Sequence, residues 1–157
     1  MTEVRCFQRV SGVCEVDPET CFSLNDSNTA EENIIIPSYE QVKDITTFDI
    51  LSPTKLTQVP RFILKKFPKL EMLRMMNTGI KELNFDNFPN GNVLKDLDLR
   101  RNNITSIPSE VFANLTSLRH INLAHNLIDH IEPGAFDHLP ILETLFLSNN
   151  KLETITT

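Results

Sequence analysis

The chain has 157 residues, 40% hydrophobic and 23% charged, with nine prolines and four glycines; this is the size and make-up of one soluble domain. Its formal net charge of −6 argues against general affinity for nucleic acid, which needs a basic face. No stretch approaches the roughly 18 apolar residues of a membrane span, so no membrane contact is expected of this segment.

The first residues, MTEVRCFQRV, hold no apolar run of the kind a secretory leader carries. Either the protein is cytosolic or Met1 follows a leader already removed. Cys6, Cys14 and Cys21 come next. Three is odd, so at least one thiol is unpaired or pairs with another chain. Cys6 and Cys14 bracket FQRVSGV, whose Ser-Gly can turn a hairpin. A Cys6–Cys14 disulfide would staple that hairpin and leave Cys21 unpaired or intermolecular; Cys14–Cys21 is the alternative. A zinc site is not expected, because there is no CxxC and no histidine before His120. NDSNTAEEN and IIIPSYEQV follow, an acidic loop leading into an irregular coil.

From residue 45 the chain repeats. Residues 94–117 place Leu94, Leu97, Leu99, Asn102, Ile104 and Ile107; residues 118–141 place Leu118, Ile121, Leu123, Asn126, Leu127 and Ile128 in the same frame. Residues 142–157 repeat it with Leu142, Leu145, Leu147, Asn150, Leu152 and Ile155, and residues 70–93 with Leu70, Leu73, Met75, Thr78, Ile80, Leu83 and Phe88. The starts lie 24 residues apart, and a period in the twenties means a solenoid. A weaker coil, 45–69, precedes them. Ile45, Phe48 and Ile50 fit, Pro53 stands at the asparagine position, and one extra residue brings Leu56 and Val59 into place.

The spacing has a physical reading. Alternate side chains of an extended segment face opposite ways, so Leu97 and Leu99 point inwards while Asp96, Asp98 and Arg100 point out. Successive coils then stack short parallel strands about 4.8 Å apart. After each strand the chain turns inside the fold, where an unmet backbone group costs about 1–3 kcal/mol. Asn102, Asn126 and Asn150 are expected to meet those groups as a ladder, with Thr78 in the same place one coil earlier. Phe88, Phe112 and Phe136 should form a buried spine beneath the opposite side. Pro108, Pro133 and Gly134 suit irregular or 3₁₀ turns there.

LxxLxLxxNxIxxIPxxxFxxLxxL, as residues 94–118 write it, resembles the typical 24-residue leucine-rich repeat of extracellular proteins. The likeness covers about 45–157, in coils 45–69, 70–93, 94–117, 118–141 and a truncated 142–157. In the coil from 70 it departs late, where NGN stands for the usual xxL. The resemblance implies an α/β solenoid, a right-handed horseshoe. Its short parallel strands line the concave face, and 3₁₀ or irregular segments form the convex side. Residues 1–44 resemble a cysteine-bearing N-terminal cap, reduced from the four cysteines usual in the family, as in some secreted arthropod leucine-rich-repeat immune proteins. No C-terminal cap is expected. The sequence stops at Thr157 about two-thirds through a repeat, and a solenoid end needs covering, so that end should be continued or covered by a partner.

Asn25-Asp-Ser, Asn103-Ile-Thr and Asn114-Leu-Thr are N-glycosylation sequons and favour an extracellular origin, secreted or as an ectodomain. Residues 55–74 carry Lys55, Arg61, Lys65, Lys66, Lys69 and Arg74 against Glu71 alone, which reads as a solvated convex surface or as a basic docking patch.

A solenoid commonly binds through its inner curve. The outward strand positions there are Met72, Arg74, Met76, Asp96, Asp98, Arg100, His120, Asn122 and Phe146, flanked by Arg101 and His125. Exposed methionine suits adaptable contact surfaces and exposed phenylalanine anchors them. Asp96 and Asp98 lie among Arg74, Arg100 and Arg101, which should hold both ionised rather than raise one as an acid. The four histidines diverge in direction, so no metal site is expected. No nucleophile–base pair shares a face and no phosphate loop is present, so neither catalysis nor a cofactor is expected. The chain reads as a non-enzymatic recognition module of innate immunity, for a protein ligand, a co-receptor or another leucine-rich-repeat chain. A matrix or adhesion spacer and a cytosolic scaffold are the alternatives.

Overall fold

A computed structural model describes residues 44–50 and 56–153, and the backbone of Phe7–Arg9 and Val13–Glu15. Those two short segments are β1 and β2, antiparallel with Gln8 opposite Cys14, which is the hairpin expected around Ser11-Gly12. β3 (Thr47–Ile50), β4 (Met72–Met75), β5 (Asp96–Asp98), β7 (His120–Asn122) and β9 (Thr144–Phe146) come one per coil. With β1 and β2 they form a seven-stranded sheet in the order β1-β2-β3-β4-β5-β7-β9, parallel from β2 onwards. On the returning side, β6 (Ser106–Ile107) and β8 (His130–Ile131) make a small parallel pair.

The register carries the sequence rhythm directly. Phe48, Leu73, Leu97, Ile121 and Leu145 stand opposite one another in one inward column, 25 residues apart at the first step and 24 thereafter. The extra residue read in the first coil is therefore real, and Leu56 and Val59 are buried as it requires. Phe88 and Phe112 are fully buried and Phe136 packs against the core. Their ring centroids lie 5.7 and 5.8 Å apart, the favourable range for aromatic pairs. Phe48 and Phe67 extend the aromatic core, at 5.1 Å.

The asparagine ladder is present. Asn102 Nδ2 donates to the carbonyls of Met75 (2.7 Å) and Leu99 (2.8 Å), one in the preceding coil and one in its own. Its Oδ1 accepts from the backbone N–H groups of Thr78 (3.0 Å) and Ile80 (3.2 Å) and from the Thr78 hydroxyl (3.0 Å). Asn126 repeats this with Leu99, Leu123 and Ile104, and Asn150 with Leu123, Leu147 and Ile128. Each amide thus closes its own turn and ties it to the coil before.

Two features depart from the expectation, and the irregularity read at Asn90-Gly91-Asn92 finds its explanation. The first coil returns through a short α-helix, α1 (Phe62–Lys66), not an irregular segment. Pro60 and Pro68 bound a run free of breakers, and Phe62, Ile63 and Leu64 give it a buried side. Leu127 is exposed rather than core; it occupies the outward position of Asn103 one coil on, and the buried position is Ile128. In coil 70–93, Gly91 takes the place that Leu115 holds in the next coil. A Cβ there would lie 2.2 Å from Leu115 Cδ2 and 3.1 Å from Leu64 Cδ1, so neighbouring leucines fill the volume its missing side chain leaves.

Candidate protein-binding face

The sheet register aligns the outward residues in columns. One runs Thr47, Met72, Asp96, His120, Thr144; the next runs Asp49, Arg74, Asp98, Asn122, Phe146. Met76, Arg100, Ala124 and Ser148 follow at the strand ends, then the flanking Asn77, Arg101, His125 and Asn149. Every concave residue singled out in the sequence therefore lies on one face or its flank.

All four flanking residues have a left-handed backbone, with φ of 57, 58, 57 and 57°. This conformation suits asparagine, is tolerated by histidine and is unfavourable for arginine. It turns the chain out of the strand so that the next residue, Thr78, Asn102, Asn126 or Asn150, can enter the core. The flanking side chains are thereby thrown out into solvent, and all four are exposed.

The two ends of the face differ in character. Near the N-terminal end the charges are tied together. Asp49 is 2% exposed and accepts from Arg74 through both carboxylate oxygens, Nε donating at 2.7 Å. Asp98 accepts from the Arg100 backbone N–H (3.2 Å), and the Arg100 guanidinium lies 3.2 Å from its other oxygen. Arg100 also reaches Met76 Sδ at 3.4 Å. Met72 and Met76 are half-buried rather than fully in water. Burial raises the Asp98 pKa above its ordinary value, and this outweighs the opposing Arg100 hydrogen bond and the charges of Arg100 and Arg74. The expectation that the neighbouring arginines would keep the Asp98 pKa from rising is thus corrected: desolvation of the carboxyl is the larger effect. Asn122 makes the same local bond without a charge, accepting from the Ala124 N–H at 3.1 Å.

Towards the C-terminal end the face is less charged. His120 Nδ1 is hydrogen-bonded to Thr144 Oγ1, and its Nε2 lies 3.9 Å from Asp96 and 4.0 Å from Glu143. His125 Nε2 meets the Asn149 amide at 3.2 Å. Phe146 is 52% exposed, the largest value among the exposed large hydrophobic side chains.

The histidines lie on separate surfaces. His120 is on the strand face and His125 on the flank; His130 is in β8, and His138 lies on the returning side, 3.9 Å from Glu110. Among the described residues no three metal-binding side chains converge, and no helix is long and apolar enough to cross a membrane. Three of the six basic side chains of the basic stretch are paired: Lys69 with Asp44 (2.7 Å), Arg61 with Asp86 (3.4 Å) and Arg74 with Asp49. Lys55 lies outside the described residues, as do Cys6, Cys21, Asn25 and the Cys14 side chain, so the disulfide pairing has no structural counterpart here. Asn103 is exposed and Asn114 half-buried.

One polar residue escaped the sequence reading. Asn87 is 1% exposed at an apolar position of the frame. It donates to the Val59 carbonyl (3.1 Å) and accepts from the Asn84 N–H (2.6 Å), capping the 3₁₀ turn Phe85–Asn87. The signal was present: an amide stands where the later coils carry Val111 and Ala135.

Parallel strands at a 24-residue pitch, a buried amide ladder and an apolar spine define a leucine-rich-repeat solenoid, and the family model described as Leucine rich repeat matches residues 92–152. The described coils form a leucine-rich-repeat solenoid, and the chain is similar to receptors of the Toll type. A chain of the Toll–Spatzle complex, described as a molecular hub in Drosophila development and innate immunity, is 32% identical with a TM-score of 0.61. The match covers 66% of this chain and 14% of that one, and the glycosylated form of that complex gives the same values. The TLR13–ssRNA13 complex is 25% identical with a TM-score of 0.55, over 75% of this chain and 20% of that one. The present sequence thus spans a small part of the length of either receptor. No curated protein matches it significantly.

Proposed function

We propose that this chain is a non-enzymatic recognition segment of a secreted or cell-surface leucine-rich-repeat protein of innate immunity, and that its concave face binds a protein. The observation that carries this is Phe146. A half-exposed phenylalanine on a strand face has lost little water on folding, so its burial remains available to an interface at about 25 cal/mol per Å². Met72 and Met76 give the other end of the face adaptable apolar surface. Arg101 offers a cation on the flank beside them. A protein partner suits the face better than RNA, because Arg74 and Arg100 each lie against an aspartate. The ligand classes are a secreted protein, a co-receptor or a second leucine-rich-repeat chain. Similarity to the Toll–Spatzle complex supports an immune setting.

The test replaces Met72, Arg101 and Phe146 together by serine. Arg74 stays, since its loss would strand the buried carboxylate of Asp49. A partner captured from native secretions by the unaltered chain should bind the folded triple variant at least about tenfold more weakly, as loss of a 1.4 kcal/mol contact implies. Equal binding would move the contact to the N-terminal cap or the convex side. Saturable binding of a labelled single-stranded RNA at physiological salt would replace the protein partner by a nucleic acid.

A further inference from the structure

We infer that Asn103 is an N-glycan attachment site, that Asn114 is not, and that the sugar covers Leu127. The inference rests on the secreted reading above. Three observations single out Asn103. Its backbone is fixed, the N–H donating to the Ile80 carbonyl at 2.7 Å. Its side chain is exposed and makes no hydrogen bond, and Thr105, which completes the sequon, is exposed too. Its column is exposed in the two coils that follow, at Leu127 and Lys151, and is occupied by the side-chain-free Gly79 in the coil before. A glycan there extends into solvent without disturbing the ladder amide of Asn102, which points the other way. Asn114 differs. It is half-buried in a turn between Phe112 and Leu115, both fully buried, where a bulky substituent would press on the aromatic spine.

Leu127 gives the second strand of the argument. It is 38% exposed at the position equivalent to Asn103 in the next coil, and its N–H donates to the carbonyl of Ile104, the residue after Asn103. Coils stack about 4.8 Å apart, so the first sugar on Asn103 can lay its apolar C–H face over the leucine. An otherwise unexplained exposed leucine is then partly covered. In the attachment the Asn103 amide nitrogen loses one proton and bonds to the anomeric carbon of an oligosaccharide. The bond from that carbon to the diphosphate of a lipid-linked donor breaks, and the lipid diphosphate leaves with the electron pair.

The full chain, secreted from animal cells behind a supplied cleavable leader, is mapped after enzymatic deglycosylation in heavy-oxygen water, which marks each used asparagine as a labelled aspartate. The label is expected at Asn103 and absent at Asn114. Thr105→Ala should abolish it and Thr105→Ser retain it. Secreted protein with unlabelled Asn103, or with label at Asn114 in its place, overturns the assignment. Removing the sugar should raise the fluorescence of an apolar dye about twofold in the unaltered chain and leave a Leu127→Ser variant unchanged; an equal rise in both overturns the covering role. Because the leader is supplied, these outcomes do not depend on the natural route of export. A failed protein-binding reading would appear separately, as unchanged partner capture by the triple variant of Met72, Arg101 and Phe146 with the Asn103 glycan in place.

Discussion

The strand side and the returning side of the solenoid obey different rules. Every described coil presents a strand of three or four residues in strict register, followed from the second coil onwards by a left-handed residue and then a Thr or Asn turned towards the core. The return path varies from coil to coil: the helix Phe62–Lys66, the 3₁₀ turn Phe85–Asn87, then irregular turns beside β6 and β8. The strand side must satisfy directional backbone hydrogen bonds, which fix geometry. The return has only to fill volume and carry its own polar groups, which several conformations can do. Contact chemistry can therefore change on a strand face whose backbone stays constant.

The most severe way to break this contrast is Asn102→Ala. It removes the shared partner of Met75, Leu99, Thr78 and Ile80. At about 1–3 kcal/mol per stranded buried group, with partial relaxation, a loss of about 3–5 kcal/mol is expected in urea unfolding. A loss below about 1 kcal/mol would show that the ladder is dispensable. Gly91→Ala probes the return side. The new methyl meets side-chain ends of Leu115 and Leu64 rather than backbone, so repacking should hold the cost to about 1–3 kcal/mol; the thermal midpoint would report it.

Arg101→Asn should act in the opposite direction. Its φ of 58° suits asparagine, so a gain of up to about 1 kcal/mol is expected. A loss would mean that the Arg101 side chain stabilises the fold by contacts that outweigh its strain.

Asp98→Asn carries the smallest effect, within about 1 kcal/mol at neutral pH, because Asn122 shows that an amide can make the same local bond. Its signature is pH dependence. The folded pKa of Asp98 lies above the ordinary carboxylate value, so between those two values the folded chain holds more protons than the unfolded one. Stability from this group is then present at low pH and lost as pH rises through the folded pKa. Unfolding curves of the unaltered chain should show that fall relative to Asp98→Asn. A parallel course for the two would refute the desolvation argument.

Much of this was legible because a period of 24 leaves few ways to wind a chain. The inward leucines, the amide ladder, the Phe88–Phe112–Phe136 spine and the outward columns all follow from alternation and spacing. The misses have a common origin. Leu127 reads as an inward residue on its hydrophobicity alone, although the frame places an outward residue there. The ionisation of Asp98 was judged from the neighbouring arginines, but burial, which sequence spacing does not measure, has the larger influence. Asn87 is marked in the sequence as an amide at an apolar position, but only a three-dimensional neighbour, the Val59 carbonyl, shows what that amide is for. The helix Phe62–Lys66 sits where the sequence offers volume-filling residues and no directional constraint.

Asn77, Arg101, His125 and Asn149 share one backbone conformation, and this makes them interchangeable teeth on a rack. Any of the four can be exchanged for another residue that tolerates a left-handed backbone, asparagine with least strain, without rebuilding the bend beneath it. Evolution, or an engineer, can therefore rewrite that rim one tooth at a time, at even intervals, while the barrel of the spring behind it keeps its winding.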